Sequence, residues 1–409
     1  MKKHFSDLAL FGGPASFATP LIVGRPYMPD RTSLMRRIES VLDSGWLSNG
    51  GPMVDELETK VAQRLTAKHV VAVCNGTVAL QVMAKACGLA GEVIVPSMTF
   101  VATPHAMQWI GLTPVFADVT HADHTLDPES VERCITPRTS AILAVHLWGN
   151  PCHVKQLQQV ADRNGLKLLF DASHAFGCDC QNRPIGNFGL AEAISFHATK
   201  VMHAAEGGVI VTNDDTVAER CRLMRNFGIT DLTSIDSAGT NAKMNELCAA
   251  AGLTSLESID DVIQHNQQNM QAYRKAISGV RGLRLAVPPS SERRNSQYVV
   301  VEVNQQEFGL NRDGLLQVLR AEGVFARSYF QPGCHNAAPY AGQAGHQPVP
   351  MPVTERLLHN VLQLPTGPAV TKNDIRRIGQ LLETVHQHAG AVLERVANDD
   401  RLGLVPDAA

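Results

Sequence analysis

Seven short apolar runs, most of them separated by helix-compatible stretches, constrain this chain more than any other feature. HVVAVC, EVIVP, TPVFADV and TSAILAV fall between His69 and Val145, interleaved with VALQVMAKACG and VATPHAMQWIG. KLLFD, AEAISF and GGVIVTN follow. Such alternation predicts an α/β unit with a mostly parallel sheet and crossover helices. The last three strands end close to Asp171, His197 and Asn213. Open α/β sheets bind ligands beyond the carboxyl ends of their strands, so chemistry is expected at these endings.

After Asn213 the pattern turns helical, first in TVAERCRLMRNFG and then from Asn245 to about Ser278, a stretch that reads as a bridge between two units. QYVVVEVN, NRDGLLQVLRAEG and TKNDIRRIGQLLETVHQHAGAVLERVA predict a smaller α+β unit. A chain of 409 residues accommodates both. The expected division is a large unit over 1–262, including an N-terminal arm, and a small one over 263–409.

The 36 lysines and arginines nearly balance 39 aspartates and glutamates, so net charge gives no reason to attract nucleic acid or an anionic membrane. A small-molecule substrate fits better. The first twenty residues hold no sustained apolar stretch, and no segment is long and apolar enough to span a bilayer. Nine cysteines lie scattered in apolar contexts without zinc-site spacing, and read as reduced, packed thiols of a cytoplasmic protein with no metal.

Lys200 in SFHATKVMHAAEGGVIVTND follows one strand by a few residues and precedes another. A lysine at the mouth of a buried site can form a Schiff base with an aldehyde cofactor, because desolvation favours its neutral, nucleophilic form. By residue type alone it reads as a solvated surface lysine, and only its surroundings in the sequence argue otherwise. Asp171 closes the apolar strand KLLF. A buried carboxylate there needs a partner, and the protonated pyridine nitrogen of pyridoxal phosphate is one; a helix cap or turn is the plainer use. In CNGTVALQVMAKA, Gly76 and Thr77 sit where a strand becomes a helix, a place suited to a phosphate. Ser195 adds a possible hydroxyl. An Asn-Gly turn that merely caps a helix has the same sequence. Phe100, at another strand end, is placed to stack on a pyridine ring or to fill core.

Taken in order, SGWLSNGGPMVDELE, CNGTVAL, VPSMTFVAT, DASHAFG, SFHATK, EGGVIVTND, RNFG and GTNAKMNELCAA resemble the motifs of the nucleotide-sugar aminotransferases, the DegT/StrS group of fold-type-I enzymes, over roughly residues 10 to 385. The resemblance implies a mostly parallel seven-stranded sheet in a large domain and a smaller α+β C-terminal domain. It implies pyridoxal 5′-phosphate joined to Lys200, Asp171 against the pyridinium, Phe100 stacked on the ring, and Gly76, Thr77 and Ser195 on the phosphate. Asn241 matches a position that reaches the phosphate of the neighbouring subunit, which implies a homodimer with shared active sites. His174 stands where the family most often has Gln, facing the cofactor hydroxyl.

The same resemblance implies glutamate as amino donor and a nucleotide-linked keto sugar as acceptor. LFGGPASFATPLIVGRP and ARSYFQPGCHNAAPY look most like members that aminate C4 of dTDP-4-keto-6-deoxyglucose. Arg25, Tyr27, Trp46, Asn49, Tyr329 and His335, with Phe330 and Tyr340, are candidates for the substrate rim. Amination at another sugar position, amination of a cyclitol ketone, and a non-catalytic regulator on the same fold are the alternatives.

Overall fold

The computed structural model describes residues 2–287, 290–343, 345–346 and 349–397. All seven apolar runs enter one sheet: β1 (His69–Val73), β2 (Glu92–Pro96), β3 (Thr113–Ala117), β4 (Thr139–Val145), β5 (Lys167–Asp171), β6 (Ala191–Ser195) and β7 (Gly208–Thr212). The spatial order is β1-β7-β6-β5-β4-β2-β3, with every pair parallel except those of β7. Successive side chains serve opposite cores: Val70 and Ala72 pack into one apolar cluster, Val71 and Val73 into another. Burial on both faces explains why these strands read as continuous apolar runs.

The reversal of β7 has two effects on the site. It sets Gly208 beside both Val73 and Ser195, at the sheet edge where Asp171 also ends. It also carries Asn213 to the opposite edge, where its side-chain oxygen accepts the Lys68 amide at 2.8 Å. The expectation of chemistry at Asn213 is thereby corrected, because it assumed a parallel strand.

A second core surrounds the antiparallel sheet β8 (Leu283–Leu285), β9 (Val299–Val303) and β10 (Val361–Leu364). Helix Ile259–Ile277 joins the two cores: Val262 and Ile263 pack in the first, Met270, Tyr273 and Ile277 in the second. Sequence order attaches the N-terminal arm to the larger unit, yet Leu8, Leu10 and Phe17 pack in the second core, and Leu21–Ile22 pairs with Val324–Phe325. Fully buried Glu322 fixes the arm there, accepting from the amides of Ala9 (2.7 Å) and Ser16 (2.8 Å) and from Lys2 Nζ (2.8 Å). Residues 398–409 of the expected small unit lie outside the described residues. Among those described, no helix is long and apolar enough to cross a membrane, and all nine cysteines are unpaired.

Candidate active site

Asp171 is the last residue of β5, and only 6% of it is exposed. Thr103 Oγ1, on helix Ala102–Trp109, donates to its Oδ2 at 2.8 Å, and the Ser173 amide donates to Oδ1 at 3.0 Å. Two donors do not saturate a carboxylate with about four acceptor sites, so it keeps capacity for a cationic N–H. A carboxylate so buried is stable only with such partners.

Lys200 lies in the loop after β6, its amide donating to the His197 carbonyl at 2.9 Å. Its amine donates to the Tyr298 hydroxyl at 3.2 Å. Desolvation pulls the amine down to about 8, and the Asp171 charge opposes that drop. An amine at that value is partly neutral near neutral pH, as a nucleophile or proton carrier requires.

His174 is buried between Tyr298 (ring centroids 4.2 Å apart) and Trp148 (5.9 Å, stacked). Its Nδ1 accepts from the Trp148 amide at 3.4 Å, which leaves Nε2–H as the ring's donor. Burial, reinforced by Lys200, holds the imidazole well below its ordinary value. A neutral ring that donates from Nε2 suits a phenolic oxygen.

Helix Gly76–Ala86 opens at the same edge, capped by Asn75, whose Oδ1 accepts the Val78 amide at 2.9 Å. That cap leaves the Gly76 and Thr77 amides at the helix mouth, where the helix dipole favours an anion. A Cβ on Gly76 would stand 2.7 Å from Ser195 Cβ, and one on Gly208 would stand 2.8 Å from the Asn75 carbonyl carbon. Only glycines permit helix mouth and strand ends to approach this closely. Phe100 is 54% exposed beside this edge, its ring 6.4 Å from that of Phe330.

Residues 30–383 match the DegT/DnrJ/EryC1/StrS aminotransferase family. The dTDP-4-amino-4,6-dideoxy-D-glucose transaminase of Shigella dysenteriae is 36% identical over 76% of this chain and 85% of its own length. The Escherichia coli protein of the same name is 33% identical over 88% and 97%. The chain belongs to this family.

A crystal structure of DesI in the presence of its TDP-sugar product superposes with a TM-score of 0.92 at 50% identity, covering 96% of this chain and all of that one. The architecture is accordingly that of the fold-type-I α/β aminotransferases, and the cofactor of these enzymes is pyridoxal phosphate. The residues present fit that group. Gly76, Gly208 and Ser195 approach so closely that a methyl on either glycine would clash, which sets the Ser195 hydroxyl against the helix mouth, where an anion is favoured. The acceptor capacity of Asp171, the neutral donor of His174 and the lowered amine of Lys200 suit the pyridine nitrogen, the ring hydroxyl and the aldehyde respectively.

The tentative rim residues separate. Tyr27 is committed to structure: its hydroxyl bonds Ser255 Oγ at 2.5 Å, and its carbonyl oxygen lies 2.8 Å from His203 Nε2. His335 is buried with both ring nitrogens engaged, Nδ1 to Ser97 Oγ and Nε2 to Glu355, each at 2.5 Å. It braces the loop after Phe330 and is not a rim residue. Tyr340 is equally buried, packed on Phe116. Tyr329 stacks on Phe330 at 5.0 Å, and Phe330 stacks on Trp148 at the same distance, so this pair does border the site. Arg25 and Trp46 are exposed. Asn49, in a left-handed conformation, lines a separate cavity of about 250 Å³ with Arg222, Asn226 and Lys243. Asn241 adjoins it, exposed and bridged through its backbone to Asn226.

Sequence reading missed Asn295, Gln297 and Tyr298. Their signal was a polar run, NSQY, set against the apolar strand VVVEV. Asn295 Nδ2 donates to the carbonyls of His174 (2.9 Å) and Phe176 (3.0 Å), and Gln297 Nε2 donates to that of Thr199 at 3.0 Å.

Proposed function

We propose that this chain moves an amino group from glutamate to the C4 ketone of dTDP-4-keto-6-deoxyglucose, leaving a 4-amino-4,6-dideoxy sugar. The observation that carries the reading is the buried set of Lys200, Asp171 and His174 beside the glycine-lined helix mouth. The choice of sugar is supported by the two transaminases and by DesI with its TDP-sugar product. When bound, pyridoxal phosphate supplies an aldehyde to carry the amino group and a ring that draws electrons from the reacting carbon.

The chain's own residues do the rest. Lys200 takes and returns the proton at the reacting carbon, a task matched to an amine near 8. Asp171 stabilises positive charge at the ring nitrogen and orients it, while Thr103 holds the carboxylate in place. His174 Nε2–H fixes the ring hydroxyl. The Gly76 and Thr77 amides, with Ser195 Oγ, grip the phosphate. The stacked Tyr329, Phe330 and Trp148 exclude water from one side.

The working unit in this proposal is a homodimer, with Asn241 reaching the partner's phosphate. Exposed Trp46, Leu47, Phe227, Ile229, Leu232, Ile235 and Leu247 support it where they adjoin, since Ile229 is bridged to Ile235 and the Leu47 carbonyl accepts the Glu246 amide beside Leu247, and contiguous exposed apolar surface is uncommon on a monomer. Arg25 and Trp46 fall to the nucleotide-sugar side, and the enzyme works in the cytoplasm.

The test incubates cofactor-loaded protein with glutamate and dTDP-4-keto-6-deoxyglucose, follows 2-oxoglutarate, and identifies the sugar by mass spectrometry and NMR. A C4 amine formed with ping-pong kinetics is expected. Amination at another carbon, or turnover of a free cyclitol ketone and of no nucleotide sugar, would reject the assignment.

A further inference from the structure

Tyr298 stands at a junction that none of the roles above uses. It enters from the second core, immediately before β9, and only 8% of it is exposed. Its ring packs on His174, and its centroid lies 5.7 Å from that of Trp148. Packing alone would be satisfied by phenylalanine, yet the hydroxyl is aimed at Lys200 Nζ. The residues just before it grip the two loops that carry the chemistry. Asn295 holds the backbone of the His174 loop and Gln297 that of the Lys200 loop, with Ser296 turned left-handed between them.

We propose that Tyr298 is a positioning residue that holds the Lys200 amine in place whenever that amine is not joined to the cofactor. The proposal rests on Lys200 being the reactive amine. A phenol suits the task because it accepts from an ammonium and, with its O–H rotated, donates to a neutral amine. It therefore keeps one anchor through both protonation states of a group that must gain and lose a proton. Burial pushes the Tyr298 phenol well up, with Tyr329 and Asp171 adding to the rise, so it stays an uncharged hydroxyl. A phenolate would instead trap Lys200 as a cation. The titratable groups facing the amine are Asp171 at the end of β5, His174 in the loop beyond it, and Tyr298, behind which lies Tyr329.

The experiment compares the wild type with Tyr298→Phe, which keeps the ring and removes only the hydroxyl. Cofactor-free protein is acetylated with acetic anhydride over a pH series, and modification of Lys200 is quantified by mass spectrometry. The wild-type midpoint is expected near 8. In the variant the charged form loses its acceptor, so the midpoint should fall by about half a pH unit or more. In the loaded enzyme kcat should fall roughly tenfold with KM for the nucleotide sugar little changed, because a misplaced proton carrier harms the reacting complex and not its formation. A melting temperature near wild type verifies that the ring alone preserves packing. An unshifted midpoint with unchanged kcat would overturn the proposal. Borohydride reduction of the loaded wild type tests its premise separately: cofactor fixed to a residue other than Lys200 removes the premise, whereas fixation at Lys200 with an unmoved variant midpoint and unchanged kcat removes the Tyr298 role alone.

Discussion

Gly76→Ala adds a methyl where helix mouth and strand end already touch. The new Cβ would lie 2.7 Å from Ser195 Cβ, 3.0 Å from its Oγ and 3.1 Å from its Cα, the first about 0.7 Å short of ordinary contact. Ser195 has no room to withdraw, since Gly208 pairs with it and itself abuts Asn75. The first turn of helix Gly76–Ala86 must therefore shift outward. Overpacking of this kind costs about 1–3 kcal/mol, reduced by up to about 1 kcal/mol through alanine's better helix propensity. At about 2.1 cal/mol/K of unfolding entropy per residue, each kcal/mol lowers the melting temperature of a 409-residue chain by roughly 1 °C. The same shift misaims the Gly76 and Thr77 amides. Losing one hydrogen bond to a charged phosphate, at about 1.5–3 kcal/mol, weakens cofactor binding roughly ten- to a hundredfold. Thermal melts of cofactor-free protein and a fluorescence titration with pyridoxal phosphate measure the two effects. Adding Ser195→Gly removes the two nearest atoms and should recover stability, with a coupling of at least about 1 kcal/mol, without recovering affinity. A Gly76→Ala protein that melts and binds cofactor like wild type would refute the cradle.

Asp171→Asn should lower turnover about a hundredfold or more while changing cofactor affinity far less, because it removes the partner of positive ring charge and leaves the phosphate grip intact; near-normal kcat would count against the role. Lys200→Met should abolish turnover and borohydride-trapped cofactor in a protein that still folds. It should also raise the stability of the cofactor-free protein. The wild-type amine titrates near 8 when folded against an ordinary 10.5, so the unfolded chain binds more protons between those values, and wild-type stability rises with pH across that window. The variant's advantage, on the order of 3 kcal/mol below pH 8, should vanish by about pH 10.5; a pH-independent difference in denaturant midpoints would contradict it. His335→Ala should cost about 2–3 kcal/mol in urea unfolding, through the partners it leaves unmet on Ser97 and Glu355, with KM for the nucleotide sugar nearly unchanged; a large KM change with full stability would restore it to the substrate rim.

The amino-acid sequence by itself determined the seven strands, the helices that follow the first two of them, and the position of Asp171 and Lys200 at or just beyond strand ends. These are local properties: continuous apolar runs mark strands buried on both faces, and Asp171 or Lys200 following such a run is placed at a sheet edge by chain connectivity alone. Gly76 was legible for the same reason, as the turn between β1 and its helix. Only the tertiary structure decided what depends on pairings far apart in sequence. The antiparallel insertion of β7 between β1 and β6 turned Asn213 away from the site and brought Gly208 into it. Docking of the arm on Glu322 placed residues 5–22 with the second core, although sequence order attaches them to the first. Burial of His335 between Ser97 and Glu355, and the approach of Asn295, Gln297 and Tyr298 to loops some hundred residues earlier, leave no periodic trace. Hydrophobic periodicity records which face of an element is covered. It carries no information on which distant segment does the covering, and that choice fixes the partner of Lys200.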